Sequence, residues 1–491
     1  MDQAIMSDRV IVNGTITQLT LTGDGVIRWS GGGQRSLTVE KEVLGFVAEG
    51  RRIRIRTVLE GGGEICCGES SGDLVRKDFV FELLSEDSQR LWCEKLREYI
   101  DSLGRPKRLF ILVNPFGGKR IASKIFLDEV KPLLEDANIQ FTVQETDHQL
   151  HAKEVANRLD LSKYDGIVCV SGDGILVEVV NGLLEREDWS TAIKTPLGVV
   201  PAGTGNGMAK SLLDYVGEPC KASNAVLAII RGHKRLLDVA TISQGETKFY
   251  SILMLAWGLV ADIDIESEKY RWMGSARLDF YALLRIFYLR HYTGRVSFVP
   301  APGYEDHGEP TNFNGDSDEK IKTRQHGYQA PDVDLENLAW RTINGPFISV
   351  WLHNVPWGSE DTMAAPDAKF SDGYLDLIIM KNSPRLSLLA VMSKLNNGDH
   401  VKSPYVEYLK VKAFALEPGP RIKDPTEEGI IDSDGEVLAR GKGTYMCDQK
   451  TLMTYNKLQI TVDQDEFSRE LSDFALEGDE DERSIEPISR M

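Results

Sequence analysis

Three times between residues 109 and 209 an apolar run ends in a glycine-rich turn and gives way to a helical pattern. In the middle instance Gly166-Ile167-Val168-Cys169-Val170 reads as a buried strand and Ser171-Gly172-Asp173-Gly174 as the turn. The segment through Glu178, Asn181 and Leu184 reads as the following helix. Short, continuous apolar runs alternating with helices call for a parallel sheet covered on both faces by its crossover helices. Glycine at such a turn permits backbone angles that other residues resist and lets another molecule approach the main chain. Strand, turn and helix in this order can hold phosphate near the Asp173 carboxylate. Gly-Asp-Gly alone is ordinary turn chemistry, so the weight lies in the ordered set.

The upstream member is Phe110-Ile-Leu-Val-Asn114-Pro115-Phe116-Gly117-Gly118-Lys119-Arg120. A strand runs into Asn-Pro, two glycines and two cations before a helix, and free N–H groups there suit phosphate. It is not a Walker A loop, because no Gly-Lys-Ser/Thr follows at the required spacing. The downstream member is Val199-Val200-Pro201-Ala202-Gly203-Thr204-Gly205-Asn206-Gly207. Ligands of a parallel sheet bind beyond the C-terminal ends of its strands, so three such turns line one rim. The expected elements are strands at 109–113, 141–144, 167–170 and 197–200, with helices at 121–136, 151–159 and 177–184.

Four regions are expected around this core. Residues 1–103 read as antiparallel strands from Arg9 to Leu84, then a helix from Ser88 to Ile100 with Leu91, Trp92, Leu96, Tyr99 and Ile100 on an apolar face. Strands closed by one tryptophan-bearing helix resemble, in architecture, a pleckstrin-homology domain. Arg52, Arg54 and Arg56 alternate with Ile53 and Ile55, so the arginines share one strand face. That face reads either as solvated or as a surface for anionic lipid or a partner. Residues 104–234 form the α/β unit. Residues 235–464 turn mostly to strands, for example 249–255, 347–352 and 375–380, with one amphipathic helix at 277–290 and a polar, mobile insertion at about 304–333. Residues 465–491 are an acidic, solvated tail.

A net charge of −18 argues against general nucleic-acid binding. Cys66, Cys67, Cys93, Cys169, Cys220 and Cys447 have no metal-binding spacing and suit a reducing compartment. No signal-like start and no run of eighteen apolar residues is present. The expected location is therefore cytoplasmic, with any membrane contact peripheral.

Asn-Pro-x-Gly-Gly-Lys, then Ser-Gly-Asp-Gly with Glu178, then Pro-Ala-Gly-Thr-Gly-Asn resembles the diacylglycerol-kinase-type catalytic domain, and within it the sphingosine (long-chain base) kinases of plant type. The likeness extends to Ala261-Asp-Ile-Asp264-Ile-Glu-Ser-Glu-Lys-Tyr-Arg271, to Arg277, and to Asp432-Ser-Asp434-Gly435-Glu436. It implies transfer of the γ-phosphoryl group of ATP, with Mg²⁺, to the primary hydroxyl of a sphingoid base. It also implies a C-terminal β-sandwich that holds the lipid, with the 277–290 helix as a lid or wall.

Carried over by motif, Asp173 is the proton acceptor and Asp264 meets the lipid head group. ATP would be met by Asn114, Pro115, Phe116, Thr146, Asp147, His148, Gln149, Leu150, Ser171, Glu178, Gly203, Thr204 and Gly205. Arg271 and Arg277 would reach its phosphates, and Asp434, Gly435 and Glu436 would return to it. The resemblance assigns no residue to the metal. A carboxylate at 264 suits a cationic amine, which sphingosine has and ceramide or diacylglycerol lacks. Taken alone, Asp264 and Arg271 read as partners in a helix or loop salt bridge. Phe116 departs from the arginine of animal sphingosine kinases and matches ceramide kinases. The alternatives are thus a ceramide or diacylglycerol kinase, or a non-catalytic lipid-binding scaffold, which would be expected to lack Asp173 or the glycine turns.

Overall fold

The computed structural model describes residues 3–30, 33–60, 74–117, 120–274, 276–311, 327–331, 335–445 and 451–462. The Cys66-Cys67 pair, Cys447, Gly118, Lys119, most of the expected insertion and the acidic tail lie outside the described residues.

The N-terminal alternation folds as expected into seven antiparallel strands, from Ala4–Val12 to Leu74–Leu83. Ile53 and Ile55 are buried, which puts the intervening arginines on the other face. The Glu86–Ser102 helix follows, with the Ser85 hydroxyl oxygen accepting the Ser88 N–H at 3.1 Å as its cap. Trp92 and Leu96 seat it on the sheet core. The arginine face is not an open cationic surface. Arg52 pairs with Glu82, Arg54 with Glu49 and Asp78, and Arg56 with Asp136.

Arg56 also donates to the Glu135 carbonyl at 3.0 Å, across to the next unit. The Asn138 amide reaches the Phe46 carbonyl at 3.3 Å, and Arg231 reaches the Lys41 carbonyl at 2.7 Å. The buried Arg105 guanidinium donates to the carbonyls of Val39, Glu40, Val43 and Leu44 at 2.8–3.3 Å. One side chain thereby ties the connecting segment to the N-terminal sheet.

The central sheet is parallel, in the order Leu197–Pro201, Gly166–Ser171, Arg108–Val113, Gln140–Glu145. Its two inner strands are almost wholly apolar and buried, as crossover packing on both faces requires. The expected 121–136 helix forms with a π turn at Phe126–Val130 inside it. The helix after Asp173 begins at Asp173 itself, four residues earlier than its apolar pattern suggests. Gly172 caps it in an extended conformation, and an acidic first residue suits a helix start.

The third sheet has twelve described strands, all paired antiparallel. The expected single strand at 249–255 is two strands, Thr247–Ser251 and Met254–Gly258, with a corner between them. That corner exists because the Asp434 carboxylate accepts the N–H groups of Leu253 and Met254, at 2.6 and 3.1 Å. The end of the expected mobile insertion is anchored. Tyr328 is buried, its N–H donates to the Leu184 carbonyl at 2.8 Å, and its ring meets Trp189.

Replacing Arg105 with alanine removes the donor from four carbonyls, those of Val39, Val43 and Leu44 buried. Arg105→Ala is expected to cost about 2–3 kcal/mol, read as a lower urea midpoint, with faster proteolysis of the linker.

Candidate active site

The register of the central sheet sets Val113, Val170 and Val200 side by side, so their following turns meet on one rim. The Asn114 N–H donates to the Val170 carbonyl and the Ala202 N–H to the Ser171 carbonyl, which ties each outer turn to the middle strand. A Cβ on Gly203 would lie 2.3 Å from the Gly172 Cα, so the two turns touch backbone to backbone and tolerate no side chain. In the upstream turn the Asn114 side-chain oxygen Oδ1 accepts the N–H groups of Phe116 and Gly117, at 3.0 and 3.1 Å. Phe116 itself is exposed, whereas Ser171 is buried.

Asp173 sits half-buried where these turns meet. One carboxylate oxygen accepts the Gly207 N–H at 2.8 Å and the other accepts the Met208 N–H at 2.9 Å. Both donors belong to the first turn of the Gly207–Tyr215 helix, whose positive end favours an anion. Burial raises the proton affinity of Asp173 above that of an ordinary aspartate, and the two N–H bonds oppose this only in part. Asn206 takes a left-handed conformation (φ +57°) just before that helix. Its side chain accepts the Gly203 N–H at 2.8 Å and donates to Glu360, which fixes the Gly203–Gly205 turn. Glu360 lies on the Trp357–Met363 hairpin of the third sheet region, and its N–H donates to the Gly205 carbonyl at 2.9 Å.

The Thr146–Leu150 segment reaches the same rim. Buried Glu178 accepts the N–H groups of Leu150 and Ala152, both at 3.0 Å, and so caps the His151–Arg158 helix from a neighbouring helix. Thr146 is buried and its N–H extends the sheet to the Val113 carbonyl. Asp147, His148 and His151 form a group of potential metal ligands whose atoms lie within 4.8 Å of one another. Gln149 donates to Glu436 at 3.0 Å, joining the Thr146–Leu150 segment to the third sheet. Burial first, and the nearby Glu178 charge second, push the Glu436 carboxyl up to about 7. Asp434 is fully engaged at the 252–253 corner, and Gly435 (φ +81°) turns the chain so that Glu436 comes back toward the rim.

The Leu259–Glu266 helix sorts its three carboxylates by face, because side chains four apart share a side and the one between them does not. Asp262 pairs with Arg290 at 2.9 Å and accepts the Tyr292 hydroxyl at 2.7 Å. Glu266 pairs with Arg290 at 2.9 Å and with the Tyr281 hydroxyl. Salt bridges of this helix thus form at Asp262 and Glu266, and the pairing considered for Asp264 and Arg271 lies outside the described residues. Asp264 faces Asp432 instead, with Arg277 and Glu268 near it. The Arg277 guanidinium is buried and donates to the Ser267 hydroxyl at 2.9 Å. The side chain of Arg271 lies outside the described residues.

Sequence reasoning did not single out Glu360 or Asp432. Nothing in the sequence ties Glu360 to a turn 155 residues earlier. Asp432 did carry a signal, as a carboxylate inside the strand Ile430–Ser433.

Residues 108–242 match the diacylglycerol kinase catalytic domain, and residues 332–456 match the YegS C-terminal NAD kinase beta sandwich-like domain. The chain is 65% identical to Sphingosine kinase 1 of Arabidopsis thaliana, over 94% of this chain and 95% of that one. It is 62% identical to Sphingosine kinase 2 of Arabidopsis thaliana, over 94% of this chain and 96% of the relative. It is 36% identical to Sphingosine kinase 1 of Homo sapiens, over 68% of this chain and 87% of the relative.

Because the folded state raises the Glu436 proton affinity, the stability this proton contributes is complete below the ordinary value of 4.5 and is lost as pH rises through about 7. Glu436→Gln removes that dependence. Urea titrations across this window should give a flatter stability–pH curve for the variant than for the parent.

Proposed function

The chain belongs to the sphingosine kinase family, and from that premise we propose how its residues divide the work. It is an ATP-using sphingosine lipid kinase. In the proposed reaction the primary hydroxyl oxygen of the long-chain base attacks the γ-phosphorus. The bond from that phosphorus to the ADP oxygen breaks, and the hydroxyl proton passes to Asp173. The observation that carries this role is the grip on Asp173: each oxygen holds one N–H of the Gly207–Tyr215 helix. A carboxylate keeps lone-pair sites beyond those two bonds, so it can still accept the substrate proton. Its raised proton affinity makes it a better acceptor than a free aspartate. Phosphoryl transfer needs positioning and charge neutralisation more than covalent help, which is what a rim of fixed turns supplies.

ATP lies, on this reading, along the rim of Asn114, Pro115 and Phe116, Ser171 and Gly203–Gly205, with the Thr146–Leu150 segment and Asp434–Glu436 closing it. Arg271 and Arg277 offer planar forks to its phosphates. Glu178 and Asp434 act by holding the chain: Glu178 takes the Leu150 and Ala152 N–H groups, and Asp434 takes the Leu253 and Met254 N–H groups on one oxygen and the Ser433 hydroxyl on the other. Mg²⁺ fits the donor chemistry of this rim: Asp173 and Glu436 present carboxylate oxygens, which Mg²⁺ takes together with phosphate oxygens. Bound with ATP it would neutralise phosphate charge. Asp264 receives the amine of the lipid, a role supported by its place on the side of the helix away from Asp262 and Glu266, which Arg290 occupies.

The domain division at 1–103, 104–234 and 235–464 and the pleckstrin-homology likeness of the first unit belong to the same proposal, supported by the separate seven-, four- and twelve-stranded sheets. No helix of the described residues is long and apolar enough to cross a membrane. Peripheral contact is assigned to the outer face near the Ala276–Phe287 helix, where Trp272, Leu283, Phe287, Tyr288 and Leu386 are exposed. The paired arginines of the N-terminal sheet make a poorer lipid surface.

Phe116 favours a second reading, with ceramide or diacylglycerol as substrate. A labelled-phosphate assay across sphingosine, phytosphingosine, ceramide and diacylglycerol separates the two, with incorporation expected into the amines only. Asp173→Asn should lower kcat by at least about a hundredfold while the melting curve is kept. Turnover near the parent rate would remove Asp173 from the role of base.

A further inference from the structure

Asp432 is fully buried on the Ile430–Ser433 strand, and among the described residues no N–H or hydroxyl donor reaches either of its carboxylate oxygens. Among the described residues, the charged groups around it and its partner are Asp264 on the Leu259–Glu266 helix, Glu268 just after that helix, Arg277, and Asp434 and Glu436 on its own hairpin. A buried carboxylate with no donor and mostly like-charged neighbours is too costly to keep ionised, so it holds its proton. A protonated carboxyl has one O–H to donate. Asp434 already accepts from Leu253, Met254 and Ser433, and Glu436 from Gln149. The acceptor that faces Asp432 is Asp264, and Arg277 lies close enough to Asp264 to favour the negative charge there.

We propose that Asp432 is a positioning residue for the lipid head group: its O–H donates to one oxygen of Asp264 and leaves the other turned to the ammonium of the substrate. This rests on the reading of Asp264 as the amine site. An O–H to carboxylate bond is short and strong, so it fixes the Asp264 side chain before substrate arrives. The pair carries one proton and one negative charge, which matches a primary ammonium. It suits Mg²⁺ less, because that ion sheds its waters reluctantly and Asp432 offers no room for them.

The test is steady-state kinetics on the full chain with sphinganine and MgATP. Asp432→Asn keeps a donor and should hold the KM for sphinganine within about threefold, whereas Asp432→Leu keeps the volume, loses the donor and should raise it at least about tenfold. The KM for ATP should stay unchanged in both. Asn as damaging as Leu overturns the donor role, and so does a Leu variant with the parent KM. A Leu variant that changes the Mg²⁺ requirement in place of the sphinganine KM overturns the ammonium assignment. If Asp432→Leu fails to give a parent-like melting curve, Asp432→Ala carries the same comparison. Asp264→Asn keeps the two readings apart: an unchanged KM for sphinganine in that variant defeats the head-group reading itself, whatever Asp432 does.

Discussion

Two backbone N–H groups at the start of the Gly207–Tyr215 helix meet the two oxygens of Asp173, and much of the site follows from that contact. It needs the Gly172 and Gly203 turns to touch, which glycine alone permits at those positions. It needs Asn206 in a left-handed conformation to aim the helix. It also needs the Trp357–Met363 hairpin, whose Glu360 takes the Asn206 amide and whose backbone packs where a Gly207 Cβ would be. The Asp173 carboxylate is thus fixed by a helix terminus and the turn before it, and the third sheet region braces both.

A second theme is how many carboxylates this protein buries and how differently it treats them. Glu178 and Asp434 are satisfied by backbone N–H groups and act as internal caps. Asp262 and Glu266 are satisfied by Arg290 and two tyrosine hydroxyls. Asp264, Asp432 and Glu436 have fewer such partners among the described residues, and burial raises the proton affinity of each, as it also does for Glu178, Asp262 and Asp434. Buried charge that is not compensated is costly to keep, and Asp264, Asp432 and Glu436 face the elements that would meet lipid and nucleotide.

The parallel core was legible because its signal is local: short apolar runs, each ended by glycine and followed by a helical pattern. The rim could be placed from sequence for the same reason, since strand ends in register bring their turns together. The N-terminal strands and the Trp92 helix were legible from alternation and an apolar stripe. What was not legible depends on contacts distant in sequence. The corner at 252–253 reads as continuous strand because its cause, Asp434, lies about 180 residues away. The arginine face of the Arg52–Glu60 strand reads as open because Asp136, its cross-unit partner, belongs to another sheet's helix. Glu360 is invisible until the Trp357–Met363 hairpin is laid against the Gly203–Gly205 turn, and Asp432 shows in the sequence only as a carboxylate inside a strand.

The central claim is that Asp173 takes the substrate proton with an affinity raised by its burial. The direct measurement is the single-turnover rate of phosphoryl transfer to sphinganine as a function of pH. The account predicts that the rate falls on the acid side with a midpoint above the ordinary aspartate value of 3.8, and that Asp173→Asn lacks this limb. A rate that stays level down to that ordinary value, or a limb that survives in Asp173→Asn, would contradict it.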